Sequence, residues 1–158
     1  VLRYTNATTF ADGVGQLSIV AYCDGSSLKG GGAGAGVVLM FNSMGGTNLV
    51  RYSLPMGKGT NNEAEYHAIL FAIQKINSMP SIGFDEEIVI FTDSELAVKQ
   101  IAGEYQVKNK NLKAIHSQIV KLIAKYNNLE VKHLPREDNE QADALSRIAS
   151  LLSMAQSS

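Results

Sequence analysis

Ile88-Val89-Ile90-Phe91 is apolar at every position. A strand with one face in water alternates apolar and polar residues, whereas one covered on both faces reads as an unbroken apolar run. This run demands a sheet with material packed on both sides, and helical patterns lie before and after it in the chain. Ahead of it, Ile69, Ala72, Ile73 and Ile76 fall on one face of a helix that ends near Ser78, before Pro80. Behind it, Asp93-Ser94 opens a helix carrying Leu96, Val98 and Ile101 that closes at Gly103. A further helix spans about 112–126 with Ile115, Ile119, Leu122 and Ile123 inward. The last runs from about Asn139 to Leu152, with Leu145, Ile148, Ala149 and Leu152 as its apolar stripe.

The first third of the chain reads differently. Leu17 to Asp24 is a strand closed by the turn signal Asp24-Gly25-Ser26-Ser27. Glycine-rich 30–36 leads into the strand Val37 to Phe41, and a loop over 42–48 leads to a third strand, 49–56. Short links between short strands indicate an antiparallel meander. The glycines lack a following Gly-Lys-Ser/Thr and precede a strand rather than a helix, so they fit close backbone packing or a flexible turn better than a phosphate loop. A final strand, 129–134, is bounded by Pro135. The order βββαβααβα gives an α/β fold with a mixed five-stranded sheet, three antiparallel strands followed by parallel additions. The expected organisation is an arm over 1–16, one domain over 17–152 and a tail over 153–158.

With 158 residues, 45% of them hydrophobic and 18% charged, the chain has the makeup of a single soluble domain. No apolar run is long enough to span a bilayer and no basic flank precedes a long apolar core near residue 1, so no membrane association is expected. The lone Cys23 leaves no internal disulfide and no cysteine-based zinc site, which suits the cytoplasm. Net charge is −1, but unevenly spread. Residues 60–95 carry seven acids against Lys75, and 96–132 carry seven lysines against Glu104 and Glu130. That polarity suits a protein holding cations in one place and phosphates in another, or simply two solvated surfaces. Nothing demands more than a monomer.

Thr60-Asn61-Asn62 are helix-starting residues, and Glu65, four before Ile69, points toward the buried face of the helix they open, while Glu63 lies with His67 and Gln74 on a wetter side. A carboxylate aimed at a core needs a cation, a proton or donors. Asp24 and Asp93 each follow a strand, where ligands bind in α/β sheets. Each also has an ordinary reading, Asp24-Gly25 as a turn and Asp93-Ser94 as a helix cap. Converging with Glu65, they would repel one another without a hard cation such as Mg²⁺ or Mn²⁺.

Taken together, Tyr22-Cys23-Asp24-Gly25-Ser26, Thr60-Asn61-Asn62-Glu63-Ala64-Glu65-Tyr66, Phe91-Thr92-Asp93-Ser94-Glu95 and the run from His133 to Leu145 resemble type 1 ribonuclease H, in family order, over roughly 17–152. Gly103 to Lys108 and the Pro135-Arg136-Glu137-Asp138-Asn139 ending are similar to a subgroup of compact archaeal and bacterial enzymes and retroelement domains. The resemblance implies a ribonuclease H-like fold and a metal-dependent endoribonuclease of RNA–DNA hybrids. It implies a tetrad of Asp24, Glu65, Asp93 and Asp143, with two Mg²⁺ ions (Mn²⁺ substituting) and Asp24 bridging them, and products with 5′-phosphate and 3′-hydroxyl ends. Asp143 is a choice of the resemblance alone, because acids in a first helical turn are favoured by the dipole anyway.

By the same resemblance the backbone of Gly25 and Ser26, with Asn61, Asn62 and Glu65, would read the RNA strand, Thr60 would hold a DNA phosphate, and Ser94 and Glu95 would border the groove. Glu95 replaces a glutamine often found there and can accept but not donate hydrogen bonds. The chain has no tryptophan, so the tryptophan-rich basic protrusion of many members is missing, with only 107–113 in its place. Many members have a mobile histidine before the last aspartate. Here His133 sits at a strand end, and Arg136 competes with it as an accessory group. The alternatives are a non-catalytic or retroelement-derived module of the same fold, or another two-metal nuclease.

Overall fold

The computed structural model describes residues 19–43 and 46–156. The expected arm over 1–16, Leu17 at the head of the first strand, part of the 42–48 loop and the last two residues of the tail lie outside them. Among the described residues five strands and four helices follow in the order βββαβααβα: β1 (Ile19–Ser27), β2 (Gly32–Ser43), β3 (Gly46–Lys58), α1 (Asn61–Asn77), β4 (Ile88–Thr92), α2 (Glu95–Ile101), α3 (Lys110–Ile123), β5 (Leu129–His133) and α4 (Glu140–Gln156), the last preceded by a 3₁₀ turn, Arg136–Asp138. The sheet order is β3-β2-β1-β4-β5. The three N-terminal strands pair antiparallel, and β4 lies parallel to both β1 and β5.

Both sheet faces are covered, as the unbroken run in β4 requires. On one face Ile19, Ala21, Cys23, Val37, Leu39, Ile88 and Ile90 pack against Ile69, Ile73 and Ile76 of α1, with Ile115 and Ile119 of α3 in the same core. On the other, Val20, Tyr22, Val38 and Met40 cluster with Leu134 and with Ala142 of α4. The period-two alternation of β1 thus assigns odd positions to the α1 side and even ones to the α4 side.

Several expectations need correction. First, β1 does not stop at Asp24. It continues through Ser27 because Asp24, Gly25, Ser26 and Ser27 stay in the ladder opposite Gly36, Ala35, Gly34 and Ala33. Second, most of the glycine-rich stretch is strand: β2 begins at Gly32, and Gly32, Gly34 and Gly36 form a track beneath α4. A Cβ on Gly34 would come within 2.4 Å of Ala149 Cβ and 2.5 Å of Ser150 N, and one on Gly36 within 2.2 Å of the Ala142 carbonyl oxygen. Close packing is the reason for these glycines. Third, α4 buries a small-residue face, Ala142, Ser146, Ala149, Ser150 and Ser153, and leaves Ile148, Leu151 and Leu152 at 50%, 60% and 47% exposure. Of the stripe read from the sequence, Ala149 is buried and Leu145 packs against the sheet, but Ile148 and Leu152 lie outside, because a helix seated this close to a backbone has no room there for branched side chains.

The serines also tie the helix to the sheet. Ser150 Oγ donates to the Ser26 carbonyl at 2.9 Å and Ser53 Oγ to the Leu145 carbonyl at 2.6 Å. Ser153 Oγ donates to the Ala33 carbonyl at 2.6 Å and accepts from Met56 and Gly57 N–H at 3.0 and 3.1 Å. These bonds carry the helix on to Gln156, beyond the expected end at Leu152. Elsewhere, α3 starts two residues before its expected position because Asn109 Oδ1 caps the N–H groups of Asn111 and Leu112. Leu96 of α2 is exposed, and that helix instead buries Ala97 and Gln100.

Replacing Gly34 by alanine forces α4 off the sheet and should cost about 1–3 kcal/mol of stability. Gly83→Ala, at a position with nothing within 4 Å, should stay within about 0.5 kcal/mol of the parent. Urea denaturation of the two variants measures both.

Candidate active site

Strand register puts two acids side by side. Cys23 and Thr92 form the last β1–β4 pair, so Asp24 and Asp93 are the next residues on neighbouring parallel strands, about 4.8 Å apart in an ordinary sheet. By alternation both follow the α4-side residues Tyr22 and Phe91, whose rings stack at 5.4 Å. Asp24 is only 4% exposed.

Glu65 arrives from above, on the first turns of α1. Thr60 caps this helix in a reciprocal box: its Oγ1 accepts from Glu63 N–H at 3.1 Å, and its own N–H donates to Glu63 Oε1 at 3.3 Å. The capped turn rests directly on β1. A Cβ on Gly25 would lie 2.1 Å from Glu65 N and 2.3 Å from the Ala64 carbonyl carbon. Glycine is required there because the helix occupies the side-chain position. Asn61 Nδ2 then donates to Glu65 Oε1 at 3.2 Å, and Ser94, whose hydroxyl caps α2 by accepting from Ala97 N–H at 3.1 Å, stands close enough to draw the Glu65 pKa down. One carboxylate oxygen from each of Asp24, Glu65 and Asp93 lies within 4.8 Å of the others.

Asp143 closes the cluster from α4. Its helix is anchored to β1 by Asn139, fully buried, whose Nδ2 donates to the Cys23 carbonyl at 2.8 Å, and Asp143 N–H donates to the Asn139 carbonyl at 3.0 Å. Asn139 thereby fixes the distance between the strand carrying Asp24 and the helical turn carrying Asp143. Two arginines flank the acid: Arg147 Nε stands 3.2 Å from Asp143 Oδ2 and Arg136 Nη2 3.9 Å from Oδ1. The four acids, both arginines, Asn61 and the Gly25–Leu28 backbone line one cleft of about 340 Å³.

The electrostatics follow from crowding. Burial, then the charge of Asp93, then a hydrogen bond and charge shared with Asp143, hold the Asp24 carboxyl well above the usual carboxylate range. Burial and the charge of Asp93 raise Glu65 to about 7, against the opposing pull of Ser94, Arg136 and Asn61. Such a crowded set of hard oxygen donors is able to hold a metal cation. Burial pushes the Cys23 thiol up as well, and its Sγ contacts the Ala68 carbonyl oxygen at 3.6 Å in the core.

Not every residue singled out in the sequence lies in the cleft. Gly25, Ser26 and Asn61 line it. Thr60 and Asn62 are exposed at the helix start outside its lining, and Glu95 is exposed in the first turn of α2. His133 is exposed at the end of β5, opposite Thr92 in the ladder and outside the cleft, whereas Arg136 is inside it. Sequence reading missed Asn139 as an anchor and missed Arg147. The signal for Arg147 was its i,i+4 spacing from Asp143 on one helix face.

Residues 22–149 match the family model described as reverse transcriptase-like. Ribonuclease HI of Halobacterium salinarum is 32% identical over 129 residues, covering 82% of this chain and 62% of that protein. The bifunctional protein Rv2228c of Mycobacterium tuberculosis is 30% identical over 134 residues, covering 84% of this chain and 35% of that protein. The chain thus spans less than two thirds of the length of these curated relatives. Among solved structures, LC11-RNase H1 in complex with RNA/DNA hybrid superposes with a TM-score of 0.72 at 33% identity, covering 86% of this chain and 99% of that one. The N-terminal RNase H domain of Rv2228c, solved as a fusion with maltose-binding protein, gives 0.75 at 25% identity over 89% and 98%. RNase H1 of Halobacterium salinarum gives 0.68 at 30% identity over 83% and 96%. No described helix is long and apolar enough to cross a membrane.

Two outcomes test the geometry. Because the folded state holds the Glu65 and Asp24 protons more tightly than the unfolded chain does, raising the pH from about 4.5 to about 7 removes stability. In EDTA the melting temperature should therefore fall across that window, by roughly 2–4 °C for each ~1 kcal/mol lost, and Glu65→Gln should flatten the slope. Gly25→Ala should cost about 1–3 kcal/mol and tilt α1 away from β1, read as lost stability in urea together with weakened Mn²⁺ binding.

Proposed function

This chain belongs to the reverse transcriptase-like family, among the type 1 ribonucleases H, and we propose that it cuts the RNA strand of RNA–DNA hybrids internally, leaving 5′-phosphate and 3′-hydroxyl ends. The observation that carries the proposal is the convergence of Asp24, Glu65 and Asp93 oxygens within 4.8 Å, with Asp143 in the same cleft. The proposed catalytic and metal-holding set is these four acids, within a domain spanning 17–152, acting as a cytoplasmic monomer.

Asp24, Glu65, Asp93 and Asp143 would hold two Mg²⁺ ions, or Mn²⁺ in their place. When bound, such a pair lowers the pKa of a water and stabilises the entering and leaving oxygens of an in-line displacement at phosphorus. The chain's own groups do the rest. Asp24, the most enclosed of the four, would be one of the ligands of the bound metal. Asn61 holds the Glu65 carboxylate in one orientation through its amide hydrogen bond. The Gly25 and Ser26 backbone runs along the cleft wall, where carbonyl and N–H groups suit the 2′-hydroxyls that distinguish RNA from DNA. Asn61 and Asn62 are proposed to extend that contact and Thr60 to meet a phosphate of the DNA strand. Arg136, in the cleft beside Asp143, is the better placed of the two accessory groups for a proton or phosphate role, and His133 is the weaker.

End-labelled RNA–DNA hybrid, RNA–RNA duplex and single-stranded RNA, incubated with Mg²⁺, with Mn²⁺ and with EDTA, test the proposal. Metal-dependent internal cutting of the hybrid's RNA strand, reduced at least ~100-fold in Asp93→Asn, is expected. Hybrid binding without cleavage in either metal would sink it, and stepwise trimming from an end would move the protein to another nuclease class.

A further inference from the structure

None of the described salt bridges reaches Asp24, Glu65 or Asp93, whereas both oxygens of Asp143 face a guanidinium. The nearer one, Arg147, sits one helical turn beyond Asp143 on α4, with Nε 3.2 Å from Oδ2. Asp143 is also the acid left out of the triad whose oxygens converge within 4.8 Å. The side chain of Asp143 is 22% exposed and that of Arg147 59%, so the pair bridges the cleft wall and solvent. A guanidinium there does for Asp143 what a cation would do: it balances the negative charge of that carboxylate beside the other acids of the cleft.

We infer that Arg147 is a positioning residue that holds Asp143 as an internal counter-ion, and that Asp143 must release this guanidinium before it can join Asp24, Glu65 and Asp93 around a cation. Arg147 would thereby raise the cation concentration at which the site fills. The inference rests on the proposed reading of the four acids as the metal-holding set. Arg136, farther away at 3.9 Å and 71% exposed, plays the lesser part.

A double-mutant cycle on Mn²⁺ binding, read from the electron paramagnetic resonance of free Mn²⁺ and so independent of turnover, decides it. A partly exposed ion pair is worth well under the energy of a tenfold change, so Arg147→Gln should bind Mn²⁺ roughly two- to fivefold more tightly than the parent, and Arg147→Lys, which keeps a charge within reach of Asp143, should return toward the parental value. In an Asp143→Asn background the Arg147→Gln change should have no effect. An unchanged affinity in Arg147→Gln overturns the inference alone. So does a gain that persists in Asp143→Asn, because Arg147 would then act through its general field rather than through Asp143. A parent chain that binds no Mn²⁺ overturns the reading of the acids and this inference together.

Discussion

Packing of helix backbone directly on strand backbone is the contact on which the rest of this structure depends. Carboxylates on separate elements converge only if those elements approach more closely than side chains normally allow. At Gly25 the first turn of α1 sits where a Cβ would be, and along Gly32, Gly34 and Gly36 the face of α4 does the same. One contact delivers Glu65 from above the strand ends and the other carries Asp143 in from the side. Asp24 and Asp93 need no such device, because parallel pairing of β1 with β4 sets them next to each other.

The repulsion among these acids has to be borne by the scaffold. Hydrogen bonds fix the elements where charge alone would spread them: Asn139 to the Cys23 carbonyl, Ser150 to the Ser26 carbonyl, Ser153 to the Ala33 carbonyl. Each donor sits on α4 or just before it, and each acceptor is a carbonyl of β1 or β2. The energy of folding on this side of the sheet is thus shared between apolar burial and polar pinning, whereas the α1 side is an aliphatic core of the ordinary kind.

That asymmetry explains how much was legible in the sequence. The element order, the mixed sheet and the α1 core could be read because their signals are local periodicities: Ile69, Ile73 and Ile76 on a helix, Ile88 to Phe91 in a doubly covered strand. Glu65 was visible as an acid aimed at a core, where an acid is costly, and Asp24 and Asp93 as acids at strand ends, each with an ordinary turn or cap reading beside it. The α4 side was misread because its logic is pairwise across the fold. A stripe of Ile148 and Leu152 outweighs Ser146, Ser150 and Ser153 on any hydropathy scale, and only the glycines of a distant strand make the serines the buried face. Asp143 could be chosen only through family resemblance, and Arg147, its neighbour one turn on, drew no attention because an i,i+4 ion pair is commonplace on helix surfaces.

Gly25 has a consequence for how such a site can change over generations. Since the helix occupies the space of its missing side chain, no substitution at that position is local: any added atom displaces the whole opening turn of α1. Asn61 and Glu65 ride on that turn and are joined by a hydrogen bond, so a shift would carry the proposed reader of the RNA strand and the proposed metal holder along together. Selectivity and chemistry are mechanically geared here. Variation that tunes one without the other must come from the opposite wall of the cleft, from the Arg136 turn or the exposed face of α4, where side chains are free to differ one at a time.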